Sequence, residues 1–298
     1  MIIQSPTFLA GFDYSPDRLA FILGTPERPS RETLAVIGTT LTIRRMRRRY
    51  CIGRYDLATF ETSSCPDHAV LDSDAKKVRC DRCEYFCGFN PAFYRTAVMS
   101  PQQRAYSEHP HVVYLAYFGR GVSKVGISHE RRLRTRLLEQ GARAALTIGV
   151  YADARSARAI EEQISLTGLR EHLSSSAKRR LLNERFDRES AFEELRDTRS
   201  RLASVVTGIA AHSSDEPCDL SAFQGNTMAI RLPILDLSET RPLVASGRGL
   251  CLIGEILLVA QKSITFMIAL KQMISYTVVI DFEETANTNA PAQQTSLF

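Results

Sequence analysis

The sequence predicts an α+β protein. A central mixed sheet with helices is flanked by an N-terminal β region carrying a zinc knot and by a small C-terminal β domain. Three observations predict it. β-prone runs gather toward both ends, five of the seven cysteines fall between Cys51 and Cys87, and the middle of the chain alternates β-prone runs with helical periodicity.

Residues 1–60 are β-rich, with apolar runs at Leu19–Leu23 and Thr33–Ile43 separated by the turn-forming Gly24-Thr25-Pro26 and Pro29-Ser30. Residues 61–91 are polar, carry Pro66, Gly88 and Pro91, and have no periodicity. Such a segment buries too little apolar surface to hold its shape without a staple. Residues 112–118, Val-Val-Tyr-Leu-Ala-Tyr-Phe, form a strongly β-prone run that ends at Gly119-Arg120-Gly121. A second short strand, Val122–Ser128, completes a hairpin. Glu130–Gln140 has helical periodicity with Gly141 as its stop, and Ala144–Tyr151 is strand-like. Asp153 is placed to cap a helix reaching about Leu166, ahead of Gly168.

Asp187–Val206 is an amphipathic helix with Phe192, Leu195 and Leu202 on its apolar stripe, followed by a polar linker at His212–Cys218. Strands are then expected at Met228–Leu232, Leu250–Ile253, Ile256–Ala260, Ile264–Ala269 and Tyr276–Phe282. The chain therefore divides into residues 1–92, 108–186, 187–222 and 223–283, with a disordered tail at 284–298.

With 298 residues, 44% hydrophobic and 24% charged, the composition excludes a collagenous chain, a mostly disordered one and a disulfide-stapled mini-protein. No apolar run is long enough to span a membrane, and Met1-Ile2-Ile3-Gln4 lacks a signal-peptide layout. A soluble cytoplasmic protein with no membrane partner is expected; protein partners are not specified by the sequence. Of the 38 basic residues only six are lysine. An arginine bias favours phosphate, and genomic base composition produces the same bias. The clusters Arg44–Arg54 and Arg120–Arg136 are each candidate phosphate-facing patches, with a solvated basic face as the alternative.

Cys80-Asp81-Arg82-Cys83 lets two thiolates reach one tetrahedral ion from a tight turn, and Cys51 with Cys65 supplies a wider second pair. Cys51, Cys65, Cys80 and Cys83 are thus the expected ligands of a structural zinc, with Cys87 and His68 as competitors.

Val112-Val113-Tyr114, followed ten residues on by Lys124-Val125-Gly126, resembles the paired strand signatures of the GIY-YIG nuclease superfamily. An arginine-bearing helix with Arg136-Leu137-Leu138-Glu139-Gln140-Gly141-Ala142 and a later helix with Ala159-Ile160-Glu161-Glu162-Gln163-Ile164 extend the likeness across about residues 111–185. The combination with a preceding cysteine cluster is similar to a bacterial family of unknown function within that superfamily, over roughly residues 40–185. The resemblance implies a nucleic-acid partner, DNA or RNA, and Mg²⁺- or Mn²⁺-assisted phosphodiester cleavage. Tyr114 would handle the nucleophile, Arg136 would clamp the phosphate, and Glu161 would hold the cation. Lys124 stands where these nucleases usually have tyrosine, and Gln140 where they have histidine. The alternative implied is therefore a non-cutting binding or regulatory module that keeps the phosphate pocket.

Helix geometry separates the two adjacent acids. At about 100° per residue, Glu161 lies about 65° from the centre of the Ala157/Ile160/Ile164 face and Glu162 about 165° away. Glu161 is expected at the buried edge and Glu162 in water. The same geometry leaves Arg134 and Arg136 open as the clamp, because they flank the Leu133/Leu137/Leu138 stripe from opposite sides.

Overall fold

The computed structural model describes residues 7–15, 18–73, 76–86, 99–209 and 216–285. Cys87, most of the expected tail and the first four residues of the expected 212–218 linker lie outside these residues. The architecture is α+β, with a large mixed sheet, six helices among the described residues and a cysteine cluster in the N-terminal part.

The chain opens with β1 (Thr7–Ser15), β2 (Arg18–Thr25), β3 (Arg28–Ala35) and β4 (Thr40–Tyr50). The run expected at Thr33–Ile43 is two strands, because Gly38 turns the chain with φ 78° between them. Short elements follow: β5 (Arg54–Tyr55), β6 (Thr62–Ser63), β7 (Val70–Leu71), α1 (Asp81–Phe86) and α2 (Pro101–Ser107). Ser100 and Gln103 cap α2 reciprocally, and Pro101 occupies its first turn.

β8 (His111–Gly119) and β9 (Val122–His129) form the expected hairpin. The expected helix from Glu130 begins as a 3₁₀ turn over Glu130–Arg132, where the His129 side chain accepts from the Arg131 N–H. The α-helix proper is α3 (Leu133–Gln140), and Gly141 ends it in the left-handed conformation at φ 75°. β10 (Ala144–Tyr151) precedes α4 (Ala154–Leu166), which the Asp153 carboxylate caps by accepting from the Ser156 N–H. α5 (Ser175–Leu181) is a short helix capped by Ser174. Asp187 caps α6 (Arg188–Val205).

β11 (Cys218–Asp219), β12 (Ile234–Asp236), β13 (Val244–Ile253), β14 (Ile256–Gln261), β15 (Ile264–Ala269) and β16 (Tyr276–Asp281) complete the chain. The strand expected at Met228–Leu232 is absent: Asn226 caps a 3₁₀ turn at Thr227–Ala229, and the strand starts only at Ile234.

Two compact units result, one of residues 1–52, 64–79 and 225–298, the other of 53–63 and 80–224. The first is built on a ten-stranded sheet in the order β12-β15-β14-β13-β4-β16-β1-β2-β3, with β7 also paired to β4. This corrects the division of residues 1–92 from 223–283. Strand β4 takes β13 on one side and β16 on the other, matching Arg44 with Val244 and Ile43 with Ile280. Leu41 and Ile43 are fully buried on β4, which pairs on both sides with strands from the C-terminal part of the chain.

The second unit has an antiparallel sheet in the order β11-β10-β8-β9. Val113, Leu115 and Tyr117 point from β8 into a core with Ala157, Ile160 and Ile164 of α4 and Phe192, Leu195 and Leu202 of α6. Helix α6 therefore belongs to this core rather than to a separate 187–222 segment. No helix among the described residues is long and apolar enough to cross a membrane.

Candidate functional site

Cys51 directly follows β4, and its N–H donates to the Ala69 carbonyl at 2.9 Å. Cys65 lies in the loop after β6, Cys80 immediately precedes α1, and Cys83 sits in the first turn of that helix. The four sulfurs lie within 4.8 Å of one another, with Cys51, Cys65 and Cys83 buried. Four clustered thiols of this kind fit a soft, tetrahedral metal ion such as zinc, because thiolate ligands prefer it and a shared ion removes their mutual repulsion. His68 is exposed with φ 45°, and no described His, Asp or Glu joins the group. Four protein ligands leave no open position, which suits a structural ion.

A second constellation forms on the opposite face of the β8–β9 hairpin from the apolar core. Alternation puts Val113, Leu115 and Tyr117 inward and sends Tyr114 to the other face. Tyr114 is paired with Gly126 across the hairpin, and Lys124 is paired with Ala116 on the same face. The Tyr114 hydroxyl accepts a 2.6 Å hydrogen bond from Gln140 Nε2 at the end of α3. Burial pushes the Tyr114 phenol up from its ordinary pKa, with the charge of Arg136 opposing. Lys124 is pushed down to about 8 by burial, then by the neighbouring charges of Arg136 and Lys178.

Glu161 is 5% exposed on α4, and burial raises its carboxyl against the opposing charge of Arg158. Arg158, one turn earlier, binds Glu161 Oε2, reaches Glu162 at 3.1 Å and meets Glu171 at 3.4 Å. Among the described residues Glu161 accepts a hydrogen bond through Oε2 alone, from Arg158. The expected contrast between the acids is present in the geometry, since the Glu162 side chain is 58% exposed.

The structure thus gathers Tyr114, Lys124, Arg136 and Glu161 from four different elements. Arg134 does not join them; its guanidinium stacks on Phe223, 3.8 Å from the ring centroid. Arg136 is half-buried and lies 3.6 Å from Glu139. Three neighbours were not singled out from the sequence. Arg158 was legible in its i, i+3 and i, i+4 spacing to Glu161 and Glu162. Glu171 and Lys178 come from the loop and short helix after α4, and no local pattern marks them. Lys178 donates to the Gln140 carbonyl at 2.7 Å, and Lys124 to the Glu171 carbonyl at 3.3 Å.

Of the other basic cluster, Arg44, Arg47 and Arg48 are exposed on β4, while Arg49 is buried. No curated protein and no solved structure matches the chain. Residues 38–212, more than half of the sequence, match the family described as Protein of unknown function (DUF2797), and the chain belongs to that family.

Proposed function

We propose that this protein is a nuclease-like, nucleic-acid-binding protein that hydrolyses phosphodiester bonds at the Tyr114–Glu161 constellation with Mg²⁺ or Mn²⁺. One observation carries the reading: a phenol, two cations and a carboxylate from β8, β9, α3 and α4 form one cluster in which Tyr114 and Glu161 are buried and the charges of Arg136 and Glu161 act on both Tyr114 and Lys124. The GIY-YIG likeness of the same residues supports it, as do the exposed arginines of β4.

Glu161 would hold the cation through Oε1, the oxygen that Arg158 leaves open. A divalent ion there supplies a Lewis acid for the phosphate oxygens. Arg136 and Lys124 bring positive charge to a phosphate that becomes more negative as the bond breaks. Tyr114, a neutral phenol that burial pushes further up from its ordinary pKa, would orient the attacking water by hydrogen bonding, while Gln140 fixes the hydroxyl's position. The cysteine cluster, with zinc as its ion, would act structurally.

The test uses labelled single-stranded DNA, duplex DNA and structured RNA with Mg²⁺ or Mn²⁺. Glu161→Gln abolishes cleavage and leaves binding intact, while Glu162→Gln changes little. Arg136→Ala slows the reaction by roughly 10²–10³-fold. Cleavage that survives Glu161→Gln overturns the assignment.

A second reading rests on Arg158. Its guanidinium engages both Glu161 and Glu171, which neutralises the carboxylates a cation would need. On that reading the protein binds nucleic acid without cutting it, and no substrate is cleaved under any of these conditions although binding persists.

A further inference from the structure

A cavity of about 530 Å³ opens in the unit built on the ten-stranded sheet, which holds none of the residues assigned above to cleavage. Its charged wall consists of Arg45, Arg49, Lys76 and Lys271, with Glu255 as the single acid. Val78 and Ile274 contribute apolar surface, and Tyr276 presents its ring.

The wall is built rather than incidental. Arg49 is 4% exposed; its Nε donates to Ser275 Oγ at 2.9 Å, Nη1 to the Asp72 carbonyl at 3.1 Å and Nη2 to the Lys77 carbonyl at 2.8 Å. Arg49 thereby ties the backbone on both sides of Lys76 to strand β4. Tyr276 carries two guanidinium groups, Arg45 at 4.6 Å and Arg49 at 4.9 Å from its ring centroid. Arg45 is held at one end only, where Nη1 donates to the Gln272 carbonyl at 3.1 Å. Its Nε and Nη2 have no acceptor among the described residues, and neither Lys76 nor Lys271 has a hydrogen bond or an ion pair there.

Cations of one sign that share a wall raise one another's energy, and an anion placed between them relieves it. A phosphate monoester carries about −1.5 to −2 charges at neutral pH and several strong acceptor oxygens, more than a carboxylate offers. The cavity lies within the roughly 300–1,000 Å³ range of small-molecule sites and has room beyond one phosphate group. The apolar wall and the Tyr276 ring suit an organic body attached to that phosphate.

We propose that this cavity binds a phosphate monoester of mononucleotide size, with the phosphate on Arg45, Lys76 and Lys271 and the organic part against Val78, Ile274 and Tyr276. The chemistry is the same whether the ester is a free small molecule or the phosphorylated end of a longer strand.

The test is isothermal titration of the full chain with AMP, adenosine and inorganic phosphate. AMP binds at this cavity, adenosine does not, and inorganic phosphate binds more weakly than AMP. Arg45→Gln and Lys271→Glu each weaken AMP by about tenfold or more, the loss expected for one charge-assisted hydrogen bond. Arg248→Glu, exposed on β13 and outside the cavity, leaves AMP binding unchanged. Lys271 is also exposed, so its variant tests the site without disturbing the core. Absence of AMP binding at millimolar concentration overturns the proposal, as does adenosine or inorganic phosphate binding as tightly as AMP. Arg136→Ala separates this cavity from the Tyr114–Glu161 constellation: loss of AMP there, with Arg45→Gln and Lys271→Glu unaffected, also overturns it. Comparing 5′-phosphorylated with 5′-hydroxyl oligonucleotides as competitors of AMP then identifies the source: competition by the phosphorylated oligonucleotide alone places a strand end in the site, and competition by neither places a free ester there.

Discussion

The Tyr114 ring lies directly over Gly126 on the neighbouring strand, and a β-carbon at position 126 would stand 2.6 Å from the Tyr114 hydroxyl oxygen. The glycine is thus required by a side chain across the hairpin and not by its own backbone. Any larger residue moves the phenol that Gln140 holds in place.

Gly126→Ala is therefore expected to destabilise the protein by about 1–3 kcal/mol, the usual cost of overpacking a filled site. Urea unfolding measures it. The same substitution should cost distinctly less in a Tyr114→Ala background, because the clash disappears with the ring. Equal costs in both backgrounds would mean that the contact does not determine the residue.

Freshly purified protein should carry about one tightly held metal ion per chain, consistent with zinc, measurable by elemental analysis. Cys83→Ser removes a fully buried sulfur and should release the ion and lower the unfolding midpoint. Cys80→Ser should act in the same direction. Exposed Cys218 lies outside the cluster, and its serine variant should keep the metal.

Lys124 makes nucleic-acid binding pH-dependent on the alkaline side. Its ammonium, pushed down to about 8, loses its charge as the pH rises through that value, whereas a lysine in water stays charged to beyond 10. Affinity should fall across that window and hold steady in Lys124→Arg, since guanidinium remains protonated. An affinity flat from pH 7 to 9 in the parent protein would exclude Lys124 as a phosphate contact.

His129 sets a stability change on the acid side. Burial, followed by the charges of His111 and His109, pushes its imidazole down to about 4, from 6.5 in the unfolded chain. Between these values the unfolded state binds a proton that the folded state refuses. Stability is therefore full above 6.5 and declines as the pH falls toward 4. His129 also caps the following turn by accepting from the Arg131 N–H at 3.2 Å. Asparagine can make the same cap but not the ring contacts to Phe60, Tyr106 and His111, so His129→Asn should lower stability at neutral pH and shrink the further decline through this window, of which His111, also pushed down by burial, keeps a part; urea midpoints through the window are the measurement.

What the sequence by itself determined is local. The strongly β-prone run at residues 112–118 and the Gly119-Arg120-Gly121 turn marked the hairpin, Asp153 and Gly141 marked helix ends, and the cysteine spacing marked the cluster. Helical periodicity was enough to turn Glu161 inward and Glu162 outward, because both sit on one regular element. Tertiary structure decided what depends on pairing at long range. Ile43 meets Ala245 on one side and Ile280 on the other, and nothing in a run of alternating residues names its partner strand. The choice between Arg134 and Arg136 was of the same kind: both flank one apolar stripe, and only the position of Phe223 draws Arg134 away. Arg158, Glu171 and Lys178 were likewise assigned by packing, since a charge on a solvated helix and a charge held against a buried carboxylate look alike until the burial is known.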